Sequence, residues 1–392
     1  MTTTAQAMRA YRGPAVLSGG FRPFFLLATS WGAVVVPIWV ACLHLNGGLV
    51  GGVDGRTWHI HEMLFGFLAG IIAGFLLTAI PNWTGRLPVT GARLGWLVAL
   101  WIAGRVASFA PPSVLASVVD SSFLIVFAAV VWREVLAGRN FRNLPVCMML
   151  SLLALANILY HLAGLAPGAE VIAQRLAMAM GVGLISLIGG RIIPSFTQNW
   201  FSSQAIGPGP ISYNRFDRAV LFGTGISLAL WVVWPYAAVA GVLLLACGVA
   251  HLVRLSRWRG WKAWREPLVW ILHVGYLWLA VGLGLLGASV MAPAAVTSSA
   301  GVHAVTAGAV GVMTLAVMTR ASLGHTGRAR EADLPTLLIY LAVLGAAVVR
   351  VASPFAQGFS TPLLVLSAVL WSLAFGGFAV AYGPMLTRPR GR

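Results

Sequence analysis

The sequence predicts an all-α, polytopic membrane protein of about 12 transmembrane helices, forming one integral membrane domain over residues 1–392. Composition is the first reason: 59% of the residues are hydrophobic and 9% are charged, whereas soluble domains are about 45–50% apolar. The mean hydropathy is +0.87. The second reason is length, since apolar stretches of about 20 residues, the reach of a helix across a bilayer, recur along the whole chain. The third is residue choice: 45 glycines and 16 tryptophans suit close helix approach and interfacial anchoring.

The first span, 23–46, carries FRPFFLLA and follows the polar stretch MTTTAQAMRAYRGPAV. It is of full spanning length, so it reads as a retained helix and not as a cleaved signal. The second, 58–81, opens with WHIHEMLFGF, which sets two histidines and a glutamate at the mouth of an apolar run. Apolar stretches of spanning length then give 92–110, 115–136, 144–165, 172–194, 217–234, 236–253, 267–290, 300–320, 334–351 and 360–383. Twelve spans put both termini on one side. The basic segments on that side, from Arg9 and Arg12 to TRPRGR, hold 22 of the 26 basic residues, leaving Arg56, Arg105, Arg175 and Arg350 opposite. Basic loops stay inside, so both termini are expected in the cytoplasm. The same flanking residues explain the net charge of +17 without a nucleic-acid partner. Cys42, Cys147 and Cys247 form no CxxC pair, so neither a disulfide framework nor a thiolate metal site is encoded.

This orientation sorts the histidines. His44, His59, His61, His161 and His303 fall at outer helix ends, whereas His251, His273 and His325 lie towards the inner side. An internal repeat adds to the pattern. Aligning Thr84-Gly85-Arg86 on Thr326-Gly327-Arg328 places His61 on His303 and Gly66 on Gly308, and Arg191, Pro194 and Thr197 match the spacing of Thr78, Pro81 and Thr84. Twelve helices then read as three four-helix units, 22–140, 141–262 and 263–388. A threefold, twelve-helix architecture with histidines on the second and tenth helices is similar to the catalytic subunit of heme-copper oxidases, where these helices hold a low-spin heme. The copper histidines of that subunit's helices 6 and 7 have no counterpart in Ala177 to Arg191 or Phe216 to Trp234, which disfavours a conventional proton-pumping oxidase.

The stretches FRPFFLLA, WHIHEMLFGF, GFLLTAIPNWTGR, NILYHLAG, LISLIGGRIIPSFTQNW, LHVGYLWL and HAVTAGAVGVMTLAVMTRASLGHTGR together resemble the NnrS family of bacterial membrane proteins. The resemblance implies heme, of the b type, and copper, together with a part in denitrification and the response to nitric oxide. It does not say which residues bind either cofactor.

Imidazole suits heme iron and copper alike. At 3.6 residues per turn, His59 and His61 point about 200° apart and cannot both face one iron. His61, aligned with His303, is the better heme ligand, and His59 belongs to the same candidate pocket; an interfacial histidine bonded to backbone or water is the alternative. His59 and Glu62 share a face, which suits a supporting pair, a copper site or a proton path, against a solvated outer loop. His161, after Tyr160, is a candidate ligand of a second metal. His273 and His325 are candidates for a second heme, the rival for His273 being a buried hydrogen bond. His251, beside Arg254, reads as a snorkelling end residue, and His44 as an exposed one.

Arginine within a bilayer needs a partner or a function. Arg105 and Arg175 lie on the outer side, where bidentate hydrogen bonds to heme propionates are available. Arg191 and Arg320, on the inner side, set helix depth. Met178, Met180, Met313 and Met318 offer thioethers to Cu(I) or simply pack. Gly66, Gly70 and Gly74 clear a small-residue face for helix packing or for a porphyrin. The run RLSRWRGWKAWR reads as an interfacial anchor.

These readings converge on a heme protein, possessing a second metal, that counters nitric oxide by binding it or turning it over as a reductase would, with electrons from a separate donor or a membrane quinol. The alternatives are a quinol-linked cytochrome and a small-solute transporter, although transporter repeats are more often two sixes with sites near midplane.

Overall fold

A computed structural model describes residues 11–44 and 54–389. The end of the first expected span, Arg9, Arg390 and Arg392 lie outside the described residues. Among the described residues there are twelve long helices: α1 (Phe21–His44), α2 (Gly55–Thr84), α3 (Gly91–Ala107), α4 (Val114–Ala137), α5 (Leu144–His161), α6 (Ala169–Ser203), α7 (Arg215–Val233), α8 (Ala238–Ser256), α9 (Pro267–Met291), α10 (Ser298–Thr326), α11 (Leu334–Ala352) and α12 (Ser360–Thr387). Eleven of them are long and apolar enough to cross a bilayer. The other, α3, has 17 residues, at the lower edge of what a bilayer requires. The chain is a multi-pass membrane protein.

The helix ends are written in the sequence. Asp54, Ser113, Thr297 and Asp333 accept from the backbone N–H three residues on, satisfying donors that the first turn leaves open. Asn214 and Asp217 form a reciprocal capping box at α7. At the far end of α2, Gly85 takes φ +69° and ends the helix, and Gly327 takes φ +79° directly after α10, a conformation that glycine adopts without penalty.

Three helices are locally underwound. α2 is a π-helix over Glu62–Leu68, α6 over Ile185–Gly189 and α10 over Ala304–Gly311. The alignment that sets His61 on His303 also sets Glu62 on Ala304 and Leu68 on Val310, so the π segments of α2 and α10 begin at the same place in the repeat. Such segments shift side chains off the regular 3.6-residue register and free carbonyls for other partners.

The chain divides into two compact units. Unit one holds residues up to Ala177, Ala321–Ala329 and Phe375 onward; unit two holds Met178–Arg320 and Arg330–Ala374. In unit one α2 packs on α1 and α4, and α4 on α3 and α5. In unit two α9 packs closely on α8 and on the π segment of α10, where Gly275, Gly282 and Gly301 each lie against a neighbouring helix backbone, as small-residue membrane packing requires.

Candidate metal centre

Few carboxylates are available, nine in all, and two of them meet inside unit one. Glu62 at the start of the α2 π segment is fully buried, and Asp120, in the second turn of α4, is 3% exposed. Between them lies Arg105 of α3, 5% exposed. Its Nη1 donates to Glu62 Oε2 at 2.8 Å, and its Nη2 donates to Asp120 Oδ1. Gly66 and Gly104 make room for this arrangement: a Cβ on Gly66 would collide with Arg105 Nη1, and one on Gly104 would come to 2.9 Å from Asp120 Oδ1. Trp31 Nε1 also donates to Glu62 Oε2, at 2.7 Å, and Trp101 Nε1 donates to the Gly66 carbonyl at 3.0 Å.

Two histidines complete the group. His61 Nε2 lies 3.1 Å from Asp120 Oδ2, and His161 Nε2, at the end of α5, lies 2.9 Å from the same oxygen. Asn157, one turn before His161, donates to Asp120 Oδ2 at 3.0 Å and turns its own carbonyl towards His61 Nε2 at 3.2 Å. His61 Nδ1 is 2.9 Å from Glu62 Oε1. Adjacent residues on a helix diverge by about 100°, so this neighbour contact forms because Trp31 and Arg105 draw the long Glu62 side chain across.

The ligand atoms of His61, Asp120 and His161 all lie within 4.8 Å of one another. Metal–ligand bonds of about 2.1 Å place neighbouring ligand atoms about 3.0–3.4 Å apart, close to the two histidine–aspartate separations. Two imidazoles and one carboxylate suit iron, copper or zinc in a site with open positions. Charge is compatible: two carboxylates against one guanidinium leave one negative charge, which a metal ion or a proton on His61, between Glu62 and Asp120, would offset. The donor set therefore fits a metal ion.

The structure re-sorts the roles that the sequence suggested. His61, His161, Glu62 and Arg105, offered separately to heme, second metal, proton transfer and propionate, are one hydrogen-bonded group. Arg105 is engaged by two carboxylates inside the protein. Glu62 contacts His61, and the His59 ring stacks on Trp39 at 4.3 Å. Asp120 and Asn157 were missed, although an acid within the apolar run VLASVVDSSF was itself the signal. Trp31 was not flagged by any sequence pattern.

The other candidates stand elsewhere. His303, in unit two, donates from Nδ1 to the Ser299 carbonyl at 2.7 Å, which leaves Nε2 as the unprotonated nitrogen, the tautomer that a ligating histidine adopts. His273 bonds Thr197 Oγ1 through Nε2 at 2.9 Å, the buried hydrogen bond that was the rival reading; its Nδ1 faces Gly260, where a Cβ would collide with it. The His325 ring lies 5.4 Å from Phe21 in unit one. Arg175 is half-buried in the first turns of α6 and Arg191 is exposed, while the Arg320 guanidinium lies 4.2 Å over the Phe196 ring. Met313 and Met318 are buried, with Met313 packed against Gly275.

Two further expectations need correction. His251 does not snorkel: it and Arg254 are fully buried in unit two, held by side chains of neighbouring helices. The run RLSRWRGWKAWR is not anchoring throughout, since Trp258 is 2% exposed and only Trp261 and Trp264, at 63% and 67%, present themselves outward. Hydropathy could not separate these, because burial of Arg254 depends on Asp217 and Tyr276 from other helices.

Among curated proteins none matches the sequence. The family model described as NnrS protein matches residues 15–390, a stretch that contains every residue of the metal-type group. The chain belongs to the NnrS family.

Proposed function

We propose that this protein counters nitric oxide in a bacterial inner membrane by taking it up at a metal ion held by His61, Asp120 and His161. The convergence of those three side chains within 4.8 Å is the observation that carries the reading. A borderline metal ion there would supply an open position for a small diatomic ligand. The protein's own residues do the rest. Arg105 and Asn157 fix the Asp120 carboxylate, Glu62 and Asp120 orient the His61 ring, and Glu62 stands beside the centre as a group able to hold or give up a proton. Nitric oxide is small and apolar, so the lipid-facing helices present no barrier to it. Copper and iron are the metals that the family resemblance favours.

A heme belongs to the proposal through His303, whose Nδ1–H bond to Ser299 supports ligation through Nε2. His61 Nε2 is turned to Asp120 and Asn157, so any heme ligation by His61 would compete with metal-ion ligation for that nitrogen. Whether the protein binds nitric oxide or reduces it, with a quinol or another protein as donor, follows from turnover. The test is purified protein assayed for metal content, reduced-minus-oxidised absorbance and spectral response to nitric oxide, with His161→Ala alongside. His161→Ala should lose the non-heme metal and the response that depends on it. A variant with wild-type metal content and response would refute the centre.

A further inference from the structure

The second buried polar group, in unit two, carries an inference of its own. Asp217 of α7 accepts from Arg254 Nε at 2.9 Å. Arg254 Nη1 donates to the Ser186 carbonyl at 2.9 Å, within the α6 π segment, and to Tyr276 Oη of α9 at 2.7 Å. Tyr276 Oη lies 2.8 Å from His251 Nδ1, and His251 Nε2 lies 2.9 Å from Thr224 Oγ1. The neighbouring acceptors favour one direction for the protons of this network. Thr224 gives its own to the Val220 carbonyl at 2.7 Å, so it accepts from His251 Nε2–H; His251 Nδ1 is then bare and accepts from the Tyr276 hydroxyl, which in turn accepts from Arg254.

Tyr276, His251 and Arg254 are all fully buried, and the Trp258 ring meets the Tyr276 ring edge-on at 4.6 Å. A phenol that loses an electron becomes strongly acidic and keeps the resulting radical only if a base takes its proton at once. A fixed, bare imidazole nitrogen at hydrogen-bond distance is that base. Beyond these bonds, Arg254 Nη2 is buried against Gly190 with no hydrogen-bond partner among the described residues.

We propose that Tyr276 and His251 form a redox-active pair that reduces nitrogen dioxide, the apolar radical that nitric oxide and oxygen generate, to nitrite. One electron leaves Tyr276 for nitrogen dioxide, the O–H bond breaks, and the proton moves to His251 Nδ1. The products are a tyrosyl radical, an imidazolium and nitrite. The choice of oxidant rests on the nitric oxide reading above; the pair itself does not rest on the metal centre.

The experiment generates nitrogen dioxide by pulse radiolysis in a suspension of the full chain in lipid nanodiscs and follows the tyrosyl radical by absorbance and electron paramagnetic resonance. Wild type should give a radical whose formation slows in deuterium oxide. Tyr276→Phe should remove the contribution of the buried tyrosine and so lower the yield, since it keeps the packing on Trp258 and removes only the hydroxyl. His251→Gln should slow formation and abolish the solvent isotope effect. His161→Ala, which empties the proposed metal centre, should leave the radical unchanged, so the two readings fail separately. Undiminished radical in Tyr276→Phe, or a His251→Gln variant with wild-type rate and isotope effect, overturns the proposal. So does the lack of a solvent isotope effect in the unaltered protein, a result that requires no variant to fold.

Discussion

Replacing Asp120 by asparagine preserves shape and removes one charge, which makes Asp120→Asn the sharpest perturbation of the buried group in unit one. The native carboxylate accepts from Arg105 on Oδ1, while Oδ2 faces His161 Nε2 at 2.9 Å, Asn157 Nδ2 at 3.0 Å and His61 Nε2 at 3.1 Å. Hydrogen bonds to a charged acceptor contribute about 1.5–3 kcal/mol each, and an amide can keep Arg105 only as a neutral acceptor. Its NH2 then points at the Asn157 donor and at the histidines. Breaking a buried pair by removing one partner costs about 3–5 kcal/mol, and that is the expected loss of stability for metal-free protein. Metal retention should fall more steeply, because a ligand atom is lost; even a supporting partner of a ligand is worth about 10–100-fold in affinity. Thermal unfolding in detergent, with and without added copper or iron, alongside elemental analysis, measures both. Wild-type unfolding temperature together with wild-type metal content would refute the assignment of Asp120 as the shared acceptor.

Glu62→Gln should retain the metal, because Glu62 is not among its ligands, at a loss of stability comparable to that of Asp120→Asn, while nitric oxide consumption with an electron donor slows by about 10²-fold or more, the scale of a lost proton-transfer group; unchanged turnover would remove Glu62 from proton transfer. His303→Ala should abolish or reshape the heme absorbance while sparing the non-heme metal, and an unaltered reduced-minus-oxidised spectrum would strike His303 from the heme site. Reporter fusions after Arg392 and near Gly51 should give opposite answers, cytoplasmic and periplasmic; the same answer from both would mean that the chain does not cross an even number of times, with α3 the first helix to re-examine.

The fold was legible because crossing a membrane is a local property: about 20 apolar residues suffice to declare a helix. Expected spans 267–290 and 334–351 became Pro267–Met291 and Leu334–Ala352. Span 92–110 ended early at Ala107, in a stretch where Ser108, Pro111 and Pro112 follow. The site was legible only in parts. His61, His161, Glu62 and Arg105 each stood out as a polar residue at an apolar helix end, but their convergence needs α2, α3, α4 and α5 side by side, which no periodicity encodes. The π segment of α2 compounds this, since a wheel drawn at 100° per residue pairs Glu62 with His59 and sets His61 apart. In unit two the same blindness was costlier: Arg254 and His251 sit at the end of an apolar run, as snorkelling residues do, and only Asp217 and Tyr276 from the neighbouring helices α7 and α9 reveal that they are buried.

The chemistry of unit one is also hard to explain as a device for stability, and this yields the most discriminating prediction. Taking two carboxylates, a guanidinium and two imidazoles out of water carries a desolvation penalty that their mutual attraction at best offsets, and replacing such groups by apolar side chains of similar volume is often neutral or stabilising by about 1–4 kcal/mol. Removing them together leaves no unpaired charge: with Glu62 and Asp120 both made leucine and Arg105 made methionine, no charge among these three stays buried without a counter-charge. Trp31 and Asn157 lose their acceptors, at a cost of about 1–3 kcal/mol each, while the Asn157 carbonyl remains for His61 Nε2, so the net loss stays below that of an unpaired buried charge. The triple variant Glu62→Leu, Arg105→Met, Asp120→Leu should therefore unfold at a higher temperature than Asp120→Asn, while holding no metal at His61 and His161 and showing no response to nitric oxide that depends on that metal. If the triple variant is instead less stable than Asp120→Asn, the buried group is a structural clamp of α2, α3 and α4, and its likeness to a metal site is incidental.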